Sequence, residues 1–244
     1  MRGARPERSL DAAVSRALHA GRGARVLVAC SGGPDSVALA SIVARLAAGG
    51  RWQPVLGHVN HGRRASAGQD ECVVLSVAER LGCPAAVLRP ALARDDEATL
   101  REARYGALAA LARELDAAEV VTAHTAEDQT ETVLLALFRG TGLAGLAGIP
   151  ERRPLGEGVT LVRPLLGVAR AELSVELRTG GLPYAVDPTN ADRRYRRNAL
   201  RPHLGALRED FPHLDRAVAR CAAIVARELR AANGSPEAMR EERP

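Results

Sequence analysis

A chain of 244 residues that is 46% hydrophobic can bury a sizeable core and fits one large domain or a domain with an appendage. It has no apolar run of about eighteen residues, so no membrane span is expected, and its start, MRGARPERS, is charged without an apolar signal core, which argues against secretion. All 34 basic residues are arginine, which excludes a lysine Schiff base and a P-loop ending G-K-[ST].

Net charge is +5, consistent with nucleic acid without deciding for it. Cys30, Cys72, Cys83 and Cys221 form no C-x-x-C pair, which argues against structural zinc and suits a reducing cytoplasm. Aromatic residues are 2% of the chain, so the core must come from Ala, Val and Leu.

Ser9 is placed to cap a short helix ending at Gly21. ARVLVAC (24–30) is short, apolar and Val-rich, the composition of a fully buried parallel strand. The stretch from Ser36 is helical by composition and by the spacing of Val37, Leu39, Ile42, Val43 and Leu46. QPVLGHVN (53–60) reads as a strand, and 66–82 as a helix opened by the capping box Ser66-x-x-Gln69. CPAAVLR (83–89) and AEVVTAH (118–124) are strands around a long helix at 97–115, and a helix at 126–139 is stopped by Gly140.

Past Thr141 the pattern loosens through TGLAGLAGIP to a short strand at 159–162, a helix at 169–177, the stretch DPTNADRRYRRNALRP and a last helix at 214–229. Residues 1–8 and those after Asn233 read as frayed ends.

Alternating strand–helix units predict an α/β fold with a doubly wound parallel sheet and a small C-terminal helical part. The expected division is a nucleotide-binding catalytic domain at 1–205 and a helical extension at 206–244. Ligands of such sheets sit at the carboxyl ends of the strands. Three polar clusters fall there: 31–36, 58–64 and 124–131.

The first cluster, SGGPDS, lies between a strand and a helix, where backbone N–H groups and a helix N-terminus make an anion site; Gly-Gly-Pro also serves as a plain tight turn. It resembles the pyrophosphate loop (S-G-G-x-D-S) of the ATP-pyrophosphatases, whose fold is Rossmann-like, of the adenine nucleotide alpha hydrolase type. These enzymes split ATP between its α- and β-phosphates. The resemblance implies ATP binding by Ser31, Gly32, Gly33, Pro34, Asp35 and Ser36, with Asp35 orienting the loop or helping to hold Mg²⁺.

HVNHGRRASAGQD (58–70) is similar to the H-V-[DN]-H-G-x-R-x-S motif of tRNA(Ile)-lysidine synthetases, with Arg64 and Ser66 on matched positions and Arg63 where that family has an apolar residue. His58 and His61 read as a ribose or substrate site, as an ordinary pair at a strand end, or as part of a metal site. REARYGAL (101–108) matches a helix of the same family and carries over Arg104 as facing the reaction; by spacing alone it is a solvated helix arginine paired with a nearby Glu.

AHTAEDQTETVLLALFRGTGLAGLAGI (123–149) resembles the family's longest motif, with Glu127 in place of an aspartate and Ala136 in place of an arginine. Asp128 and Glu131 share a helix face beside His124, which suits Mg²⁺ and a substrate ammonium; Thr125-x-x-Asp128 is equally a capping-box variant. RPLLGVARAEL (163–173) and DPTNADRRYRRNALR (187–201) also match the family. The second carries Arg193, Arg194, Arg196, Arg197 and Arg201 around Tyr195, either a solvated face or a contact to RNA phosphates.

The chain therefore resembles a short form of a tRNA(Ile)-lysidine synthetase. The resemblance implies that ATP adenylates C2–O of the wobble cytidine of a CAU-anticodon tRNA(Ile), and that the ε-amine of free L-lysine then displaces AMP. It implies catalysis by Asp35, Arg104, His124, Asp128 and Glu131, and ATP contact by His58 in addition to the loop. It implies tRNA contact by Arg64 and the arginine run, and Mg²⁺ at Asp35 and Asp128. A homodimer stays open. The rival expectations are a related tRNA thiolase, whose paired cysteines are missing here, and a non-catalytic nucleotide or tRNA binder.

Overall fold

The computed structural model describes residues 6–60, 62, 67–91, 96–186 and 196–232. They form two compact units that interleave along the chain: Met1–His124 with Glu151–Asp187, and Thr125–Pro150 with Pro188–Pro244. The strands are β1 (Ala24–Ala29), β2 (Trp52–Val59), β3 (Ala85–Leu88), β4 (Glu119–Val121), β5 (Arg152–Gly156) and β6 (Val159–Val162). The helices are α1 (Pro6–Ala17), α2 (Pro34–Ala47), α3 (Ala67–Leu81), α4 (Glu97–Glu114), α5 (Ala126–Leu137), α6 (Leu143–Leu146), α7 (Arg170–Gly180), α8 (Arg196–Asp210) and α9 (Leu214–Ala232).

The first unit contains the sheet, in the order β3-β2-β1-β4-β6-β5. Its strands alternate apolar side chains between two cores. Val26, Val28, Leu56, Val121 and Val162 face one side, where α1, α2, α3 and α7 contribute Leu10, Ile42, Val77 and Leu173. Leu27, Val55, Val120 and Leu161 face the other, closed by Tyr105, Leu108 and Leu111 of α4. Burying each such Val or Leu contributes about 1.5–3 kcal/mol, which explains why near-continuous apolar strands sit at the centre of a two-sided sheet. The direction of strand addition reverses between β1 and β4, which pair in parallel through Val28 and Val121. Their carboxyl ends flank the crevice where this architecture binds ligands.

The expected α/β fold with its mostly parallel sheet is present; the edge strand adds a detail to it, and the first helix differs from expectation at both ends. The sheet is parallel except for β5, which returns antiparallel to β6; its Arg152, Arg153 and Pro154 hide it from any alternating pattern, and an edge strand tolerates the proline. Ser9 lies inside α1, which starts at Pro6 and stops at Ala17. Beyond that stop the buried Glu119 carboxylate accepts from the backbone N–H groups of His19 and Ala20, so a tertiary contact fixes this end of the chain.

The second unit is helical: α9 packs along α5 and α6, and α8 packs on α5. Leu204 of α8 and Ala219 and Ala222 of α9 are buried in it. Neither α6 nor α8 was assigned from sequence, since α6 is one glycine-containing turn and α8 has Pro202 within it. α8 runs unbroken across the expected 205/206 boundary.

Candidate functional site

The SGGPDS loop leaves the end of β1 and closes into α2. Gly32 has φ +87°, and a Cβ there would lie 3.2 Å from the Asp70 carbonyl oxygen, so both the backbone turn and the approach of α3 require glycine. Gly33 is different: its φ is −73° and a Cβ would meet only ordinary contact with Ser31 Oγ at 3.5 Å. Among the described residues nothing crowds that position, so the backbone and the space at 33 would admit a side chain. Gly33 is the N-cap of α2 and supplies no side-chain acceptor, and Pro34 at the first helical position has no N–H to satisfy.

The loop is braced from within. Ser36 Oγ donates to Gly33 O at 2.8 Å and accepts from Ser31 N at 3.2 Å, and Ser31 Oγ lies 3.2 Å from Ser36 Oγ. Since the Ser36 hydroxyl has one proton, given to Gly33 O, the Ser31 hydroxyl donates to Ser36. Ser36 thus fixes the loop rather than projecting from it. From outside, Ala185 N donates to Gly32 O at 2.8 Å, so the segment after α7 straps the loop.

Asp35 accepts from Arg170 Nε at 2.7 Å, a partner 135 residues away at the first turn of α7. Nothing local in the sequence signals that pair. His58, buried at the end of β2, directs Nδ1 at the Cys30 carbonyl oxygen, 2.9 Å away. A carbonyl only accepts, so Nδ1 carries the proton and the ring is locked against β1. Next to it Asn60 Nδ2 donates to Glu71 Oε2 at 3.1 Å, and Arg89 Nη2 reaches both Glu71 oxygens at 2.7 Å. The Asn60 hydrogen bond, then Arg89, hold the Glu71 carboxyl below its ordinary range despite some desolvation. Beyond β4, Thr122 Oγ1 lies 3.0 Å from His124 Nδ1.

Arg104 sits in the second turn of α4 with its guanidinium carbon 5.5 Å from the Tyr105 ring centroid. Arg101 and Arg153 approach the same ring at 5.3 and 4.8 Å, and Arg163, 1% exposed, hydrogen-bonds the Tyr105 phenol. Burial alone would raise the phenol, but the Arg163 hydrogen bond and the charges of Arg101, Arg163 and Arg104 outweigh it and pull it below the usual tyrosine range. This four-arginine cluster comes from three separate segments and was not legible in the sequence.

In the helical unit Asp128 does cap its helix: Oδ2 accepts from Thr125 N at 2.9 Å and from Thr125 Oγ1 at 3.1 Å. Glu131, 1% exposed, is held by Arg201, with Nε to Oε1 at 2.7 Å and Nη2 to Oε2 at 3.4 Å. Arg201 also donates Nη1 to Asn198 Oδ1 at 3.0 Å, and Arg197 donates to Thr132 Oγ1 at 3.0 Å. Of the expected RNA contacts, Arg201 and Arg197 are thus engaged inside this unit, while Arg196 is exposed. Gln129, missed from sequence, clamps the loop after α6: it accepts from Ile149 N at 2.7 Å and donates to Ile149 O at 3.2 Å. Glu127 and Glu131, after the Asp215 hydrogen bond and against desolvation, help raise the Arg208 guanidinium above its usual range.

His61, Arg63, Arg64, Ser66, Arg193, Arg194 and Tyr195 lie outside the described residues. Asp35, Arg104, His58 and His124 belong to the sheet unit; Asp128 and Glu131 belong to the helical one. The Asp35 carboxylate, held by Arg170, and the Ser31 hydroxyl are hard oxygen donors at this turn, the type Mg²⁺ takes together with phosphate oxygens, while among the described residues no group of three or more His, Cys, Asp or Glu could hold a metal ion. A cavity of about 380 Å³ lined by Arg25, Pro54 and Cys83 lies at the amino ends of β1 and β2, the sheet edge opposite the one where this architecture binds ligands.

A family model described as a PP-loop domain matches residues 6–207. A Ralstonia nicotianae protein named tRNA(Ile)-lysidine synthase is 43% identical over 207 residues, 82% of this chain and 44% of the relative. Namesakes from Synechococcus and Thermus thermophilus are 40% and 45% identical over 84% and 83% of this chain, and 63% and 39% of theirs. The chain thus spans between about two fifths and three fifths of the length of these relatives. Among solved structures, a U34-tRNA thiolase from Methanococcus maripaludis superposes with TM-score 0.74 at 15% identity, over 89% of this chain and 77% of that one; the likeness is one of fold.

Proposed function

Because the chain belongs to the PP-loop domain family, we propose that it forms lysidine: it ligates free L-lysine to C2 of the wobble cytidine of a CAU-anticodon tRNA(Ile) at the expense of ATP. The observation that carries this reading is the SGGPDS turn, braced by Ser36 and strapped by Ala185 at the β1/β4 switch point, in a chain 40–45% identical to the three relatives above, which are named for that reaction.

In this reading the cytidine C2–O oxygen attacks the α-phosphorus of ATP and diphosphate leaves. The lysine ε-amine then attacks C2, the C2–O bond breaks and AMP leaves. The N–H groups around Gly33 receive the phosphates, and glycine at 33 admits their close approach. Arg170 orients Asp35 toward that loop. Mg²⁺ on the phosphates would be held by Asp35 and would neutralise phosphate charge. Asp128 attracts the lysine ammonium, Glu131, buried and paired with Arg201, holds the helix that carries it, and His124 and Arg104 orient the reacting base. Arg196, with Arg64, Arg193 and Arg194, contacts RNA phosphates.

The test is an assay of diphosphate release and lysine incorporation. ATP and lysine alone should give no diphosphate exchange, because the adenylated oxygen belongs to the RNA. Adding CAU-anticodon tRNA(Ile) should start diphosphate release and fix labelled lysine in an alkali-stable bond. Exchange supported by lysine without RNA overturns the reading. Diphosphate release with tRNA but without lysine incorporation would indicate a thiolase, and neither would indicate a binder.

A further inference from the structure

The arginines around Tyr105 have no part in the chemistry above except for Arg104. Their placement is specific. Arg101 and Arg104 stand on the first turns of α4, Arg153 on β5 and Arg163 directly after β6, so three segments converge on one ring. α4 follows β3 and precedes β4, so its first turns lie at the carboxyl edge of the sheet, the edge that carries the phosphate loop. β6 is two positions from β1 in the sheet, about 10 Å away at roughly 4.8 Å per strand. α4 also lies on the face opposite α2. The cluster is therefore too far along the edge to share the phosphates gripped at Gly33, yet within a nucleotide's length of them.

We propose that Arg101 and Arg153, set around the Tyr105 ring and backed by the buried Arg163, form a second anion site that holds a backbone phosphate of the RNA substrate next to the nucleotide being modified. The proposal rests on the RNA-modifying function above and names the surface that grips the substrate. Tyr105, itself 7% exposed, is a fixed ring around which the Arg101 and Arg153 guanidinium groups gather within 5.3 Å of its centroid, a concentration of positive charge that suits a phosphate; Arg153 also donates Nη1 to the Pro154 carbonyl oxygen at 3.1 Å. Electrostatics agree: burial lowers the Arg163 guanidinium, the phenol of Tyr105 offsets part of this, and Arg153 and Arg101 push it down further. An incoming anion would relieve that repulsion.

The experiment compares the full chain with R101Q/R153Q and R101K/R153K, leaving Arg104 intact. Measured are tRNA affinity from ~50 to 200 mM salt, ATP affinity, and turnover at saturating tRNA. If the site holds RNA phosphate, the glutamine pair flattens the slope of log K against log salt by roughly 0.7–0.9, the value for one lost phosphate contact. At ~0.1 M salt tRNA binds at least about tenfold more weakly. ATP affinity and saturated turnover stay within about twofold, and the lysine pair restores most of the slope, since charge without the guanidinium fork still attracts phosphate. An unchanged slope in the glutamine pair overturns the proposal, as does loss of ATP affinity without a change in slope, which would assign the anion to the nucleotide. Slope loss in a chain that never incorporates lysine would sustain the site and defeat the lysidine reading. A wild-type chain that binds no RNA defeats both.

Discussion

The sheet unit and the helical unit hold their functional groups in place by different physics. In the first, both faces of β1, β2, β4 and β6 are sealed by fully buried Val and Leu, and the phosphate loop inherits its position from that core. In the second, large buried apolar side chains are few, and Leu137, Phe138, Leu143, Leu207, Phe211 and Ile224 are exposed. Polar clamps do the positioning instead: Glu131 to Arg201, Gln129 to Ile149, Arg208 to Asp215 and Asp128 to Thr125. A loop on an apolar sheet tolerates loss of a surface charge, whereas a helix held by buried ion pairs does not. Substitutions that exchange these two modes of support sharpen the contrast.

The largest effect is expected at Arg201. Arg201→Ala leaves the Glu131 carboxylate buried and unpaired, a loss of about 3–5 kcal/mol. Arg196→Ala, on the exposed side of the same helix, should change stability by less than about 0.5 kcal/mol. Urea melts followed by hydrogen exchange on α5 and α8 would read this. Equal, small effects would mean that the pair contributes little and that apolar contacts hold the helical unit.

Next come the two glycines. Gly32→Ala forces a side chain into φ +87° and toward the Asp70 carbonyl, at a cost of about 1–3 kcal/mol, read as a lowered Tm. Gly33→Ala, with ordinary φ and open space, should leave Tm nearly unchanged and weaken ATP binding at least about tenfold. If both lose stability equally, Gly33 is also a turn residue and the distinction between fold and ligand at this loop fails.

Asp128 tests the boundary between cap and catalyst. Asp128→Asn keeps a side-chain oxygen for the Thr125 N–H, so helix stability should fall by no more than about 1 kcal/mol. Lysidine formation should fall at least about a hundredfold if the carboxylate charge serves the reaction. Turnover close to wild type would leave Asp128 with its capping role alone.

What could be read from the sequence was what is local. Strands β1, β2 and β4 declare themselves by composition, α4 by its length, and the phosphate loop by the Gly32–Gly33 step between an apolar strand and a helix. What could not be read was pairing over distance. Asp35 offers no hint of Arg170, nor Glu119 of His19 and Arg152, nor Arg101 of Arg153. β5 was hidden because an edge strand needs only one paired side and can carry Arg152, Arg153 and Pro154. α8 was hidden because its place depends on Leu204 and on the Arg201–Glu131 pair, not on an apolar stripe. Asp128 shows the reverse: its spacing from Thr125 suggested a cap, and the cap is present.

The smallest effect is at the margin of the sheet unit, and its sign follows from two carboxylates, one exposed and one half-buried. Backbone and side-chain hydrogen bonds from Thr99 lower Asp96, the N-cap of α4, against slight desolvation; the Asn60 hydrogen bond and then Arg89 lower Glu71. A carboxyl whose folded value lies below its unfolded one binds fewer protons when folded, so it adds stability above the unfolded value. That stability is lost as pH falls from the ordinary values of 3.8 and 4.5 through the lower folded ones. Asp96→Asn and Glu71→Gln should each leave a shallower decline in stability below about pH 4.5, with little change in pH dependence from 6 to 8. Asp96 is exposed and Glu71 half-buried with an exposed partner in Arg89, so ~1 M salt should shrink the Glu71 contribution, which includes an ion pair, more than that of Asp96, which rests on hydrogen bonds within its own turn. An acid limb identical to wild type in both variants would show that the decline is set by the buried Glu131 and Glu119 pairs instead, and would shift the contrast between the units from the surface to their interiors.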